Sequence, residues 1–226
     1  MSKAFSTQSV PVPERDESNA ARRRAVAVAG HTRDEATARA ALVHPAHEVR
    51  ASALGALARI GALRPEDVSA ALADPAPEVR RRACDLAGRL QSAILGRDLT
   101  VALNDSAPTV VEAACYALGE LYALGGLTTS SVEVVRALAR TATTHAEPLC
   151  REAAVAALGS VGCDAGLPAV IAGLKDKPAI RRRAVVALAA FDGTEVDSAL
   201  ARATTDPDWQ VRQAAEDLVG RRPRPS

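Results

Sequence analysis

Arginine is the residue type in this chain best equipped to recognise another molecule, because its planar guanidinium grips a carboxylate or phosphate through two parallel hydrogen bonds. It occurs in adjacent runs at Arg23-Arg24, Arg81-Arg82 and Arg182-Arg183. Between the last two runs stand Asp85, Glu112 and Glu152, and Tyr116 follows Glu112 at a spacing that puts both on one face of a helix. Such a set suits binding of a polar or mixed-charge partner. It does not suit catalysis, since no Ser-His-Asp arrangement, glycine-rich phosphate loop or convincing carboxylate pair accompanies it. His44 and His47 share a turn but have no third ligand nearby, and His44 and His145 each fill a position otherwise held by Asp. We read them as turn caps rather than metal ligands. No catalytic residue, metal or cofactor is expected.

The cysteines carry no chemistry in this reading. Cys84, Cys115, Cys150 and Cys163 form no CxxC pair, and four cysteines in 226 residues do not make a disulfide scaffold. Cys84 and Cys115 occupy equivalent positions of neighbouring helices, whose axes lie about 8 to 10 Å apart. A disulfide reaches roughly 7 Å between Cα atoms. All four are read as reduced thiols, with Cys150 a buried small hydrophobe.

The composition is that of a globular protein, 48% hydrophobic and 24% charged. Aromatic residues make up only 2% of it, whereas alanine accounts for roughly a fifth. A core built from Ala, Leu and Val at close range suits helices stacked on helices. The balance of 28 basic and 27 acidic residues argues against binding nucleic acid through bulk charge. No apolar run is long enough to span a membrane and no signal-peptide pattern opens the chain, so a cytoplasmic location is expected.

What positions the charged residues is a repeat. Seven segments share an anchor residue, a small residue four positions on, and mostly a Leu-Gly-like end. They begin at Ala21, Val49, Val79, Val110, Cys150, Ile180 and Val211, spaced 28, 30, 31, 40, 30 and 31 residues apart. Apolar residues at i, i+4, i+7 and i+8 make each an amphipathic helix, here called B. Before most of them comes a turn such as DPAPEV or DSAPTV, in which Pro fixes a dihedral and the polar residue is expected to cap. A shorter apolar-periodic stretch, helix A, precedes each turn, for example PEDVSAALA from Pro65 and LPAVIAGLK from Leu167. No strand signal occurs. A pair of short helices cannot bury its apolar stripe alone, so neighbours must stack into a solenoid. The repeat-end glycines are read as left-handed helix ends.

The pattern DPxxxVRxxAxxxLG, nearly complete at Asp74 to Gly88 and again at Asp206 to Gly220, resembles the HEAT repeats, specifically the short type found in phycobilin-lyase subunits. The resemblance covers roughly Asn19 to Gly220 and implies an all-α, right-handed α-solenoid of about seven HEAT repeats. It also implies that the Arg after each anchor (Arg50, Arg80, Arg151, Arg181, Arg212) pairs with the Asp opening the turn of its own or the adjacent repeat, namely Asp74, Asp105, Asp176 and Asp206. Residues 1–17 are expected to be a disordered leader, 18–220 the solenoid, and 221–226 a flexible basic tail. The 40-residue spacing accommodates Gly125, Gly126 and the polar stretch Thr128 to Ser131, where a bend or loop is expected.

At 100° per residue, i+2 lies opposite the buried stripe with i+6 beside it, and in a HEAT solenoid that side lines the concave surface. This collects Arg23, Arg81, Asp85, Glu112, Tyr116, Glu152 and Arg182, with Arg82 and Arg183 at i+3. The expected surface has an acidic centre, one tyrosine and flanking arginines. HEAT-type deoxyhypusine hydroxylases carry His-Glu pairs at i+2 and i+3, and no such pair occurs here. HEAT-like DNA glycosylases use several concave aromatics, whereas only Tyr116 is available. We therefore expect a non-enzymatic scaffold or adaptor that binds a protein partner in its concave groove. The alternatives are a lyase-like enzyme or enzyme subunit, and nucleic-acid backbone binding through Arg81, Arg82, Arg182 and Arg183.

Overall fold

The computed structural model describes residues 14–125 and 132–221. Most of the expected leader, five of the six tail residues and the polar stretch after Gly125 lie outside the described residues. Thirteen α-helices and no strand occur among the described residues. The chain forms two compact units, residues 1–62 and 63–226.

The first unit contains α1 (Glu14–Thr32), α2 (Glu35–Ala40) and α3 (His47–Ile60). The second contains five A/B pairs: α4 (Pro65–Leu72) with α5 (Pro77–Ala87), α6 (Ile94–Ala102) with α7 (Pro108–Ala123), α8 (Val132–Thr144) with α9 (Pro148–Val161), α10 (Leu167–Gly173) with α11 (Pro178–Ala187), and α12 (Thr194–Ala203) with α13 (Trp209–Arg221). The B helices α5, α7, α9, α11 and α13 pack each on the next, and α4, α6, α8 and α10 form the second layer. This is the α-solenoid arrangement.

The anchor and i+4 slots are buried as the periodicity requires, in Val49 and Ala53, Val79 and Ala83, Val110 and Ala114, Cys150 and Ala154, Ile180 and Ala184, and Val211 and Ala215. Position i+5, which the sequence reading left out, is buried too, as Leu54, Cys84, Cys115, Val155 and Val185. Two helices depart from this pattern for different reasons. In α1 the anchor Ala21 and the i+4 residue Ala25 are exposed, while Val26 and Ala29 are buried. Among the described residues no A helix precedes α1, so those slots have nothing to close on. In α13 the i+5 slot holds Glu216, which is exposed.

The turns work differently from the expected helix caps. Asp74, Asp105 and Asp206 each accept, through Oδ1, the backbone N–H two residues on, at 2.8 Å in all three. His44 and His145 do the same through Nδ1, at 3.1 Å each. The polar residue thus closes the turn, and the helix N-caps that follow (Ala46, Ala76, Ala107 and Glu147) make no side-chain cap bond. Proline at the start of α5, α7, α9 and α11 removes one of the N–H groups that would otherwise lack a partner.

The repeat-end glycines also need correction. Gly30, Gly88, Gly119 and Gly159 are not left-handed; the left-handed glycines that follow B helices are Gly61, Gly125 and Gly162, with φ of 76°, 73° and 60°. The repeat-end positions are glycine because the next B helix arrives there. A Cβ on Gly159 would stand 2.9 Å from the Cα of Ala187, and one on Gly30 would stand 2.9 Å from the Cα of Ala56.

Candidate functional site

The arginine after each anchor is consumed by the scaffold. Arg80 donates to Asp105 through Nε and Nη2 at 2.7 and 2.9 Å, Arg151 to Asp176 at 2.7 and 2.9 Å, and Arg181 to Asp206 at 2.8 and 2.8 Å. The remaining Nη1 of each arginine donates to backbone carbonyls of its own turn, as in Arg80 to Asp74 O at 2.8 Å and Arg151 to His145 O at 2.8 Å. One guanidinium therefore ties its own turn to the next repeat. The bidentate hydrogen bonds hold the carboxyls of Asp105, Asp176 and Asp206 below the usual range. In the second unit the ladder is interrupted at α7. Val111 replaces the arginine in α7 and is fully buried, and in the next turn His145 replaces the aspartate.

The side chains left over lie on the other flank of the B helices. Arg81 Nη1 approaches Asp85 Oδ2 at 3.9 Å on α5, and Arg183 Nη2 donates to Glu152 Oε1 at 3.4 Å across α11 and α9. The Nε of Arg183 is sealed from solvent and has no hydrogen-bond partner among the described residues. Tyr116, on α7, is 44% exposed. Burial raises its pKa, Arg183 opposes the rise, and Glu152 and Glu112 add to it. The tyrosine thus feels charges from three successive B helices. Arg182 is exposed beside Arg183, Arg82 is half-buried beside Arg81, and Arg23 is exposed on α1 in the first unit.

Between α5 and α7 this flank opens into a groove of about 460 Å3 whose lining includes Glu78, Arg81, Asp85, Thr109, Glu112 and Tyr116. Glu78 and Thr109 were missed from sequence. Both stand at i−1, and 100° per residue puts i−1 within about 20° of i+6, so the helical wheel already held the signal. The same position brings in Leu149, 61% exposed at i−1 of α9, and i+6 of α11 is Val186, 54% exposed. Together with Tyr116 they form the apolar part of a face whose other members are charged.

The described residues contain no group of three or more His, Cys, Asp or Glu side chains able to hold a metal ion. Cys84, Cys115 and Cys150 are buried, and that burial pushes the Cys84 thiol up to about 12 and the Cys150 thiol up to about 11, with Cys115 higher still. None of the three is poised as a nucleophile. No helix among the described residues is long and apolar enough to cross a membrane.

The stacked A/B pairs with their Arg–Asp ladder define a helical repeat protein. A family model for HEAT repeats matches residues 65–144 and 135–220, and the chain belongs to the HEAT-repeat family. No curated protein matches the sequence. Among solved structures, the complex of CpcE and CpcF of phycocyanin lyase from Nostoc sp. PCC7120 is 18% identical, covering 97% of this chain and 81% of that one with a TM-score of 0.58. A designed armadillo repeat protein in complex with the peptide (KR)4 is 17% identical, covering 79% of this chain and 95% of that one with a TM-score of 0.60. These likenesses establish the fold alone.

Proposed function

We propose that this chain is a cytoplasmic binding scaffold that holds a segment of a protein partner on the flank of the B helices carrying Arg81, Arg82, Asp85, Glu112, Tyr116, Glu152, Arg182 and Arg183. One observation carries the reading: this flank joins an open groove to exposed Tyr116, Leu149 and Val186, whereas the ladder flank spends its arginines on the scaffold itself. Exposed apolar side chains among charged ones on a single rigid face are what a protein contact requires. The designed armadillo protein that shares the fold was solved with a peptide, which supports a peptide-like occupant. Phosphate backbones fit less well, because Asp85, Glu112 and Glu152 interrupt the arginines and would repel them.

The test is site-directed photo-crosslinking in cells. A benzophenone amino acid at position 116 should give discrete protein adducts, and the same probe at position 101 on α6, an exposed Val outside this flank, should not. Equal labelling from both positions would refute the assignment of the face. Adducts removed by nuclease would replace the protein partner with nucleic acid.

A further inference from the structure

The chemistry of the occupant is readable from the order of groups along this face. We propose that the second unit recognises an extended peptide segment carrying a cationic side chain, Arg or Lys, about seven residues away from a carboxylate side chain, with apolar residues between them. This rests on the scaffold reading above and specifies its partner.

The cationic end follows from the groove between α5 and α7. Its walls bring the carboxylates of Asp85 and Glu112 together beside Arg81, which reaches Asp85 only at 3.9 Å and stays more than half exposed. No cation among the described residues pairs with Glu112. The ring of Tyr116 forms one wall, so a guanidinium or ammonium entering the groove meets carboxylates and an aromatic ring together. A phosphate or carboxylate would meet repulsion in the same place.

The opposite pole lies on α11. Glu152 already occupies Arg183, but Arg182 is exposed and no acid among the described residues pairs with it, so it is the group available to a partner's carboxylate. From the α5–α7 groove to α11 is two and a half helix spacings, about 25 Å at 10 Å each. An extended chain covers that distance in about seven residues at roughly 3.3 Å per residue. Between the two poles the path crosses Leu149 on α9, with Tyr116 beside its cationic end and Val186 beside Arg182, and these three would bury apolar side chains of the segment.

Panning a phage library of random twelve-residue peptides on the full chain tests the proposal without presupposing a partner. Enriched sequences should share an Arg or Lys with an Asp or Glu six to eight positions away. The best of them, made synthetically and followed by fluorescence polarisation, should bind Glu112→Gln and Arg182→Ala roughly tenfold more weakly. Changing the peptide cation to Ala should weaken binding to Glu112→Gln much less than it weakens binding to the parent, because the two changes remove the same contact. Circular dichroism establishes that the two variants remain folded. Enriched peptides that lack the charge pattern, or that bind both variants unchanged, overturn this inference, and if Tyr116→Ala still abolishes their binding the scaffold reading stands. If no peptide is enriched, both fall.

Discussion

Gly159 should tolerate alanine badly and Gly119 should tolerate it well, although both occupy the same repeat slot inside the last turns of a B helix. A Cβ on Gly159 would lie 2.8 Å from the Cβ and 2.9 Å from the Cα of Ala187 on α11. Carbon atoms in contact prefer about 3.5 to 4.0 Å, so α9 and α11 would have to part by about 0.7 Å. Ala187 has no rotamer with which to yield, and Ala157, Leu158 and Ala184 are buried in the same joint. Overpacking of this kind costs about 1 to 3 kcal/mol. Replacing a helical glycine by alanine returns roughly 0.8 to 1 kcal/mol, which leaves a net loss of about 1 kcal/mol. On Gly119 the nearest atom to the added Cβ is the Cα of Ala157 at 3.3 Å, with Ser160 at 3.5 Å. A shift of about 0.2 Å relieves that contact, so the helix-propensity gain decides the sign and the variant should be neutral or slightly stabilised. For a chain of this size about 1 kcal/mol moves the melting temperature by about 2 to 4 °C. Thermal melts followed by circular dichroism at 222 nm should therefore place Gly159→Ala below the parent and Gly119→Ala at or above it. A Gly159→Ala protein melting with or above the parent would show that α9 and α11 do not approach as described.

The ladder makes stability depend on acid. The carboxyls of Asp105, Asp176 and Asp206 are depressed by their arginine partners, so their contribution is complete above the unfolded value of about 3.9 and is lost as pH falls through the lower folded values. The melting temperature should hold steady from pH 7 to 5 and fall below about pH 4; Arg151→Ala should cost about 2 kcal/mol at pH 7 and make that fall shallower. An equally steep fall in the variant would show that Asp176 is not part of it. The thiols give an independent check on burial, because Cys84, Cys115 and Cys150 are buried and disfavour ionisation while Cys163 is partly exposed. A disulfide reagent at pH 8 should titrate one thiol rapidly in the native chain and four after denaturation, and rapid reaction of a second native thiol would contradict the packing of α5, α7 and α9.

The fold was legible because stacking imposes the same demand on every repeat. Val79, Ala83, Leu86 and Ala87 recur at fixed offsets since each helix B must meet its own helix A and its neighbours at alanine distance, and a single chain displays that rule several times over. The i+5 slot escaped because its occupants are chemically mixed, Leu54 in one repeat, Cys84 and Cys115 in two others and Glu216 in α13, so no one residue type marks it. The repeat-end glycines were located correctly but explained wrongly. A left-handed helix end and a close helix approach both select glycine, and only the position of Ala187 or Ala56 tells them apart.

The candidate face was less legible for a related reason. Whatever stacking requires is repeated, so a binding surface has to be sought where the repeats differ from one another. The clearest differences fall around α7. There Val111 interrupts the arginine series, His145 interrupts the aspartate series one repeat later, and Tyr116 puts an exposed aromatic ring on the open flank. With valine where the other repeats have arginine and histidine where they have aspartate, that joint lacks the bidentate pair, so α7 and α9 are held together by apolar packing and the close approach at Gly119 rather than by a guanidinium bridge. Such a joint is not pinned by a directional ion pair. It is a joint of α7, the helix that also carries Tyr116 and Glu112, the two side chains that the proposed cation would engage first.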